Sequence, residues 1–378
     1  MLILLKNVDI YAPEHLGVGD LLLAGGRIAA VGQRLDVPTG WPCRVVDCEG
    51  RRVIPGLVDV HAHLSGGGGE GGAHTRVAPM VVDDFVRAGV TTAVGLLGTD
   101  ATTRALPELL AAARGLAHYG LTTWCYTGSY EVPPKTVTGS VRSDIVNIDR
   151  VIAVGELAIS DHRSSQPTFD ELARIAADCH VSGLMTGKAG LLHLHMGDGE
   201  RGLELVRRML DETEIPTRTL HPTHLNRNPT LWAEALVLGE SHGIFGDVTA
   251  FPEGDSAPSA AGCILSWLES GLAVDRITCS SDGGGCLPVF EDGEMVDMDV
   301  GRPDTLLQTV RALTLAGLRL ETAIRPVTSS PAALFRFHGK GRLEVGCDAD
   351  VLVLDADLQP WALWASGRRL LAEGQPIR

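Results

Sequence analysis

The stretch LVDVHAHL, residues 57–64, ends an apolar run on two histidines one residue apart, and SGGGGE follows through residue 70. In an extended segment alternate side chains share a face, so Asp59, His61 and His63 project together from the end of a strand. Two imidazoles on one side can grip one cation. Alone, an HxH pair is a weak signal, because partly buried structural histidines have the same spacing. Later apolar runs strengthen it, since each brings a ligand type at its end: Glu156, His193 or His195, His221 or His224, and Asp282. Zinc accepts nitrogen and carboxylate ligands, and its catalytic sites leave one position open for water. Four histidines and two carboxylates would hold two metals.

Side chains so far apart in sequence need a fold that gathers strand ends. Between residues 51 and 339, strand-like runs such as Thr91–Leu97, Thr122–Tyr126, Val151–Val154, Leu191–His195 and Arg276–Ser280 alternate with helical patterns such as Phe169–Ala177 and Leu203–Leu210. That alternation is the signature of a parallel α/β fold. About eight such units point to a TIM-like (β/α)8 barrel, which collects its chemistry at the carboxyl ends of the strands. A doubly wound sheet is the structural rival, but the polar residues gather at the ends of many strands, where barrel enzymes keep their chemistry. The two chain ends read differently. Leu2–Leu5, Asp20–Ala24, a Gly25-Gly26 turn and Arg27–Val31 resemble short strands, as do Asp350–Asp355 and Trp361–Leu371. Residues 1–50 and 340–378 are therefore expected to form one small β-sandwich domain, with the carboxyl-terminal runs pairing onto the amino-terminal strands.

The chain has 378 residues, 44% of them hydrophobic, and a formal charge of −15. That charge argues against nucleic acid or an anionic membrane as a partner and favours small molecules. The eight cysteines form no CxxC pair and read as reduced core residues. The MLILLKNVDIY start is too short in apolar residues for a signal peptide, and no segment is suited to span a bilayer, so a cytoplasmic location is expected.

VDVHAHL (58–64), GGGGE (66–70), GLLGTD (95–100), TGSYEVPPKTVTGSV (127–141), AISDHRS (158–164), HMGD (195–198), PTHLNRN (222–228) and SSDG (280–283) resemble the isoaspartyl (β-aspartyl) dipeptidases of the amidohydrolase superfamily. The resemblance spans nearly the whole chain. It implies a pair of zinc ions, although other divalent metals would suit the donors: His61 and His63 on one, His195 and His224 on the other, with a bridging carboxylate and Asp282 beside a bridging hydroxide. It also implies a homo-oligomer, an octamer among the assemblies to test. His193 and His221 are left to support or packing.

Two departures stand out. The resembled enzymes carry a carboxylated lysine four residues before the Ser-Asp-His-Arg segment, whereas this chain has Glu156 there. None of its four lysines lies on that strand, so no carboxylated lysine is expected and Glu156 becomes the bridge. Its side chain is shorter, so either the strand approaches the metals or the metal spacing changes. Cys286 stands where the relatives have a serine that helps hold a substrate carboxylate, and a thiol is a weaker donor.

Two cations lower the pKa of a shared water and polarise the scissile carbonyl. Asp282 can take the proton and pass it to the leaving amine. Tyr130 resembles the residue that stabilises the oxyanion. A dipeptide with a free ammonium and two carboxylates needs an anionic contact and guanidinium clamps. Glu70 resembles the first, Arg163 and Arg227 the second, and Thr99 adds a hydrogen bond. The expected reaction is cleavage of the β-aspartyl bond left when aspartate or asparagine isomerises. The rivals are another amidohydrolase, such as an N-acyl amino acid deacylase or cyclic amidase, and a catalytically inactive oligomeric relative.

Overall fold

The computed structural model describes residues 2–37, 40–251, 257–291 and 294–377. Strands β1 (Leu2–Tyr11), β2 (His15–Ala24), β3 (Arg27–Gly32), β4 (Cys43–Asp47) and β5 (Arg52–Pro55) open the chain. Then come β6 (Leu57–Ala62), β7 (Val90–Gly95), β8 (Thr122–Thr127), β9 (Val151–Ile159), β10 (Leu192–Met196), β11 (Leu220–Thr223), β12 (Gly246–Thr249) and β13 (Ile277–Ser280). The hairpin β14 (Cys286–Glu291) and β15 (Glu294–Val300) follows, and β16 (Val351–Leu354), β17 (Pro360–Ala365), β18 (Arg368–Ala372) and β19 (Gln375–Pro376) end the fold.

Strands β6 to β11 lie side by side in chain order, all parallel, and β12 pairs in parallel with β13. Two backbone bonds close the ring. Leu225 N donates to Asp247 O at 3.1 Å between β11 and β12, and His63 N donates to Gly283 O at 2.7 Å between β13 and β6. The result is the expected TIM-like (β/α)8 barrel. Some of its helices begin where a side chain satisfies their free N–H groups, as Ser140 does for the helix at Val141–Asn147. Helix α1 (Val82–Ala88), α2 (Leu106–His118) and α3 (Val141–Asn147) precede α4 (Phe169–Thr186), which starts in a reciprocal Thr168–Glu171 capping box.

Period-two alternation decides what enters the barrel. In β10, Leu192, Leu194 and Met196 join the apolar layer beneath the helices, which leaves His193 and His195 inside. Strand β9 breaks that rhythm: its register against β10 jumps from Val154 opposite Leu192 to Leu157 opposite Leu194. Gly155 and Glu156 thus share one partner, His193. Such a bulge re-aims a side chain, and here it carries Glu156 toward the centre.

The terminal strands form one nine-stranded sheet, ordered β19-β18-β17-β16-β5-β1-β2-β3, with β4 also on β1. Val351 and Val353 of β16 face Leu5, Leu21 and Trp364, while Leu352 and Leu354 join the barrel's outer core. Burial on both faces explains the unbroken VLVL run. The pairing differs from expectation in two ways. Trp361–Leu371 is a hairpin, because the chain reverses at Ser366, whose N–H donates to Asp350 at 2.7 Å. Of the carboxyl-terminal strands, β16 alone joins the amino-terminal set among the described residues, through β5. Arg52–Pro55 consequently belongs to this sheet and not to the barrel.

Candidate metal centre and substrate cavity

Glu156 lies at the middle of the site, and its two oxygens face different histidine pairs. Oε1 stands 3.6 Å from His61 Nε2 and 3.5 Å from His63 Nε2. Oε2 stands 2.9 Å from His195 Nδ1 and 3.5 Å from His224 Nε2. Asp282 Oδ1 is 3.3 Å from His61 Nε2 and 3.1 Å from His63 Nε2. These atoms form three overlapping groups able to hold a metal: His61, His63 and Glu156; His61, His224 and Asp282; Glu156, His195 and His224.

The spacing fits divalent ions. Two ligands of one tetrahedral zinc, each about 2.1 Å from it, stand about 3.4 Å apart, wider than a good hydrogen bond. His61 Nε2 and Asp282 Oδ1 are also buried without a hydrogen-bond partner, which an interior polar atom rarely tolerates. Both observations suit donors directed at cations. Two of these residues carry backbone strain. His224 and Asp282 adopt left-handed φ values of 59° and 52° just past the ends of β11 and β13, a conformation that non-glycine residues keep where function demands it.

The second ring nitrogens of His195 and His224 are tied down, whereas His63 Nδ1 is buried without a hydrogen-bond partner. His195 Nε2 lies 3.0 Å from Asp161 Oδ2, and His224 Nδ1 lies 2.6 Å from Thr249 Oγ1. Asn226, from the PTHLNRN motif, fixes Thr249 by bonding both its N–H and its carbonyl, at 2.8 and 2.9 Å. Asp59 shares the histidines' side of β6 but accepts from Ser281, at 2.5 Å from its hydroxyl, and so anchors the segment leading to Asp282. Gly98 must be a glycine: a Cβ there would come within 2.8 Å of His63 Cε1.

Burial opposes charge at every group here; it prevails at His224, held near 3, and at Asp59, raised to about 6, whereas opposite charges prevail at Asp282, Glu156, His61 and Asp161. Burial raises the Asp282 carboxyl, but His61 and His63 outweigh it and hold it below the usual range. Glu156 is lowered likewise, by His61 and His195 against burial. Burial works against a charged His61 ring, and Glu156 and Asp282 reverse that, raising it well above an ordinary imidazole. Asp161 is depressed because hydrogen bonds from His195 and Arg163 overcome its burial.

A cavity of about 220 Å³ opens onto this centre and is lined by Glu70, Thr99, Tyr130, Arg163, Arg227 and Cys286, among others. The sequence-derived set therefore converges on one space. The Tyr130 hydroxyl lies 2.8 Å from His195 Nδ1, at the ring edge that faces Glu156. Arg163 is held by Asp161 at 2.8 Å and reaches Glu70 Oε1 at 3.3 Å, while Thr99 Oγ1 donates to that same oxygen at 3.4 Å. Arg227 donates to Asp198 at 2.8 Å. Cys286 is half-buried, and burial together with Glu70 and Asp282 pushes its thiol up to about 12.

The glycine loop is a built element. Gly66 has φ of 80°, and a Cβ there would strike the Val77 carbonyl. Arg104, buried below the loop, donates to the carbonyls of Ser65, of Gly67 at 2.9 Å and of Val77 at 2.8 Å. Sequence reasoning missed Arg104, Asp161, Asp198 and Thr249. Asp161 and Asp198 carried usable signals, since they lie in the SDHRS and HMGD motifs; the other two were silent.

The amidohydrolase family profile matches residues 52–372, and the chain belongs to that family. Its fold follows closely that of a β-aspartyl dipeptidase from the thermophilic keratin degrader Fervidobacterium islandicum AW-1, solved in complex with β-Asp-Leu. The two are 40% identical with a TM-score of 0.94, over 100% of this chain and 98% of that one. A second structure of the F. islandicum β-aspartyl dipeptidase gives 38% identity and a TM-score of 0.92, over 100% and 99%. An imidazolonepropionase of Acidiphilium cryptum is 34% identical over 134 residues, 34% of this chain and about a third of that enzyme, 32%. No helix among the described residues is long and apolar enough to cross a membrane.

Proposed function

We propose that this protein is a cytoplasmic, zinc-dependent hydrolase of the β-aspartyl peptide bond in dipeptides, acting as a homo-oligomer on a two-metal centre. His61 and His63 would hold one ion and His195 and His224 the other, with Glu156 bridging them in place of a carboxylated lysine and Asp282 beside them. The carrying observation is the division of the Glu156 carboxylate, one oxygen toward each histidine pair.

Bound divalent cations supply acidified water and draw electron density from the scissile carbonyl. Asp282 takes the proton of the attacking water and returns it to the leaving amine, so one carboxylate serves as base and then acid. Tyr130, protonated because burial and Glu156 raise its phenol well above the ordinary value, donates to the oxyanion. Glu70 meets the substrate ammonium with Thr99 alongside, Arg163 and Arg227 clamp the carboxylates, and Cys286 lines the wall beside them. An anion and two guanidinium groups in one cavity suit a zwitterionic acidic dipeptide better than a neutral cyclic amide. The complex of the F. islandicum enzyme with β-Asp-Leu supports the same substrate class.

The test is side-by-side hydrolysis of β-Asp-Leu and α-Asp-Leu by purified protein, together with its metal content. Cleavage of the β isomer with about two zinc ions per chain is expected. Turnover confined to the α isomer or to N-acyl amino acids would reject the substrate, and protein without activity or metal after zinc supplementation would indicate an inactive scaffold.

A further inference from the structure

Beneath the centre, a line of hydrogen bonds runs down the barrel interior through residues to which the proposed chemistry assigns no part. His61 Nδ1 lies 2.8 Å from His193 Nε2, His193 Nδ1 lies 2.9 Å from His221 Nδ1, and His221 Nε2 lies 3.0 Å from Thr278 Oγ1. The Thr278 hydroxyl donates to Asp247, with the Gly246 carbonyl at 3.4 Å as its other acceptor. Asp247 is fully buried and also accepts from Thr223 at 2.7 Å and Ser280 at 2.5 Å.

The direction of every bond follows from the far end. Both partners of the Thr278 proton are pure acceptors, so its oxygen must receive the Nε2–H of His221. A neutral His221 then carries a bare Nδ1, which requires His193 to donate from Nδ1 and keep Nε2 bare. His61 must in turn donate from Nδ1. Both inner rings are fully buried and neither has a carboxylate among its hydrogen-bond partners, so each carries a single ring proton.

We propose that Thr278, His221 and His193, ending on Asp247, form a positioning relay that commits His61 Nδ1 to donate into the barrel core and so leaves Nε2, beside Glu156 and Asp282, as the nitrogen open to a cation. This rests on the metal-centre reading, because a metal requires that nitrogen bare. Outer partners that set a ligand's tautomer tune metal affinity as the ligands themselves do. Tyr126 stacks on His193 at 4.9 Å between ring centres and keeps the inner ring upright.

The test uses full-length, metal-free protein labelled with 15N in the histidine rings, the two signals assigned with His193→Gln and His221→Gln. His193 is expected to show a protonated Nδ1 and bare Nε2, and His221 the reverse; His193 protonated at Nε2 would overturn the relay. Thr278→Val, which keeps shape and loses the hydroxyl, should invert both rings and weaken zinc binding in chelator competition by about tenfold. Thr278→Ser should restore both. Wild-type zinc affinity and ring signals in Thr278→Val would reject the proposal even if its thermal stability falls. Wild-type protein that takes up no zinc would reject the centre itself, while its ring signals would still report whether the relay is polarised as stated.

Discussion

Glu156 Oε2 lies 2.9 Å from His195 Nδ1. That closeness comes from the bulge in β9, which carries a short carboxylate toward the middle of the barrel. Glu156→Ala should therefore lose metal and activity together. Elemental analysis beside a β-Asp-Leu assay checks this, and a variant that keeps two zinc ions and wild-type turnover would remove Glu156 from the bridge.

Asp282 approaches two histidine nitrogens, but five other residues can hold the ions without it. Asp282→Asn should keep the metal and lose turnover by about 100- to 10,000-fold, the usual share of a general acid–base group. Unchanged kcat would assign proton transfer elsewhere.

Glu70 contacts Arg163 and Thr99 at the cavity wall, so its carboxylate stands where a substrate ammonium would add a third partner. Glu70→Gln should lower kcat/KM for β-Asp-Leu by about 10- to 100-fold, as expected for one hydrogen bond to a charged group. N-acetylated β-Asp-Leu, which has no ammonium, should show no such penalty.

Cys286 stays a protonated thiol at neutral pH, because its value lies at about 12. Cys286→Ser should lower KM for β-Asp-Leu several-fold, since a hydroxyl donates to a carboxylate more strongly. In wild-type protein its alkylation rate should climb with pH, as the thiolate fraction grows toward that value. Rapid labelling at pH 7 would contradict the assigned environment.

Lys340 joins the two parts of the molecule. Its side chain is 5% exposed, and its ammonium lies 2.6 Å from Asp350, 2.8 Å from Asp348 and 2.7 Å from Thr122 at the start of β8. Lys340→Met should leave the buried Asp350 carboxylate without its cation, while Asp348 keeps Arg27, and cost about 3–5 kcal/mol in denaturant unfolding. Metal content should stay the same, because the substitution lies far from the centre in the chain and shares none of its contacts.

Much of this site is legible in one dimension because strands and ligand types are local properties. The HxH spacing, the alternation of Leu192, Leu194 and Met196 with His193 and His195, and the glycines before Glu70 all depend on near neighbours. Alternation alone left His193 and His195 equivalent, for both face inward. Depth along the barrel separates them: His195 reaches Glu156 at the mouth, while His193 meets His61 and His221 below.

Residue order was enough to announce a barrel of parallel strands, a set of nitrogen and oxygen donors at their ends, and an acidic chain suited to small ligands. The bulge that delivers Glu156, the hold of Arg104 on the glycine loop, the hairpin at Ser366 and the direction of the histidine line arise from contacts between segments as much as 39 residues apart for Arg104 and 132 for His61 and His193. Hydrogen-bond direction and register are properties of pairs, and a pair exists once folding has brought its members together.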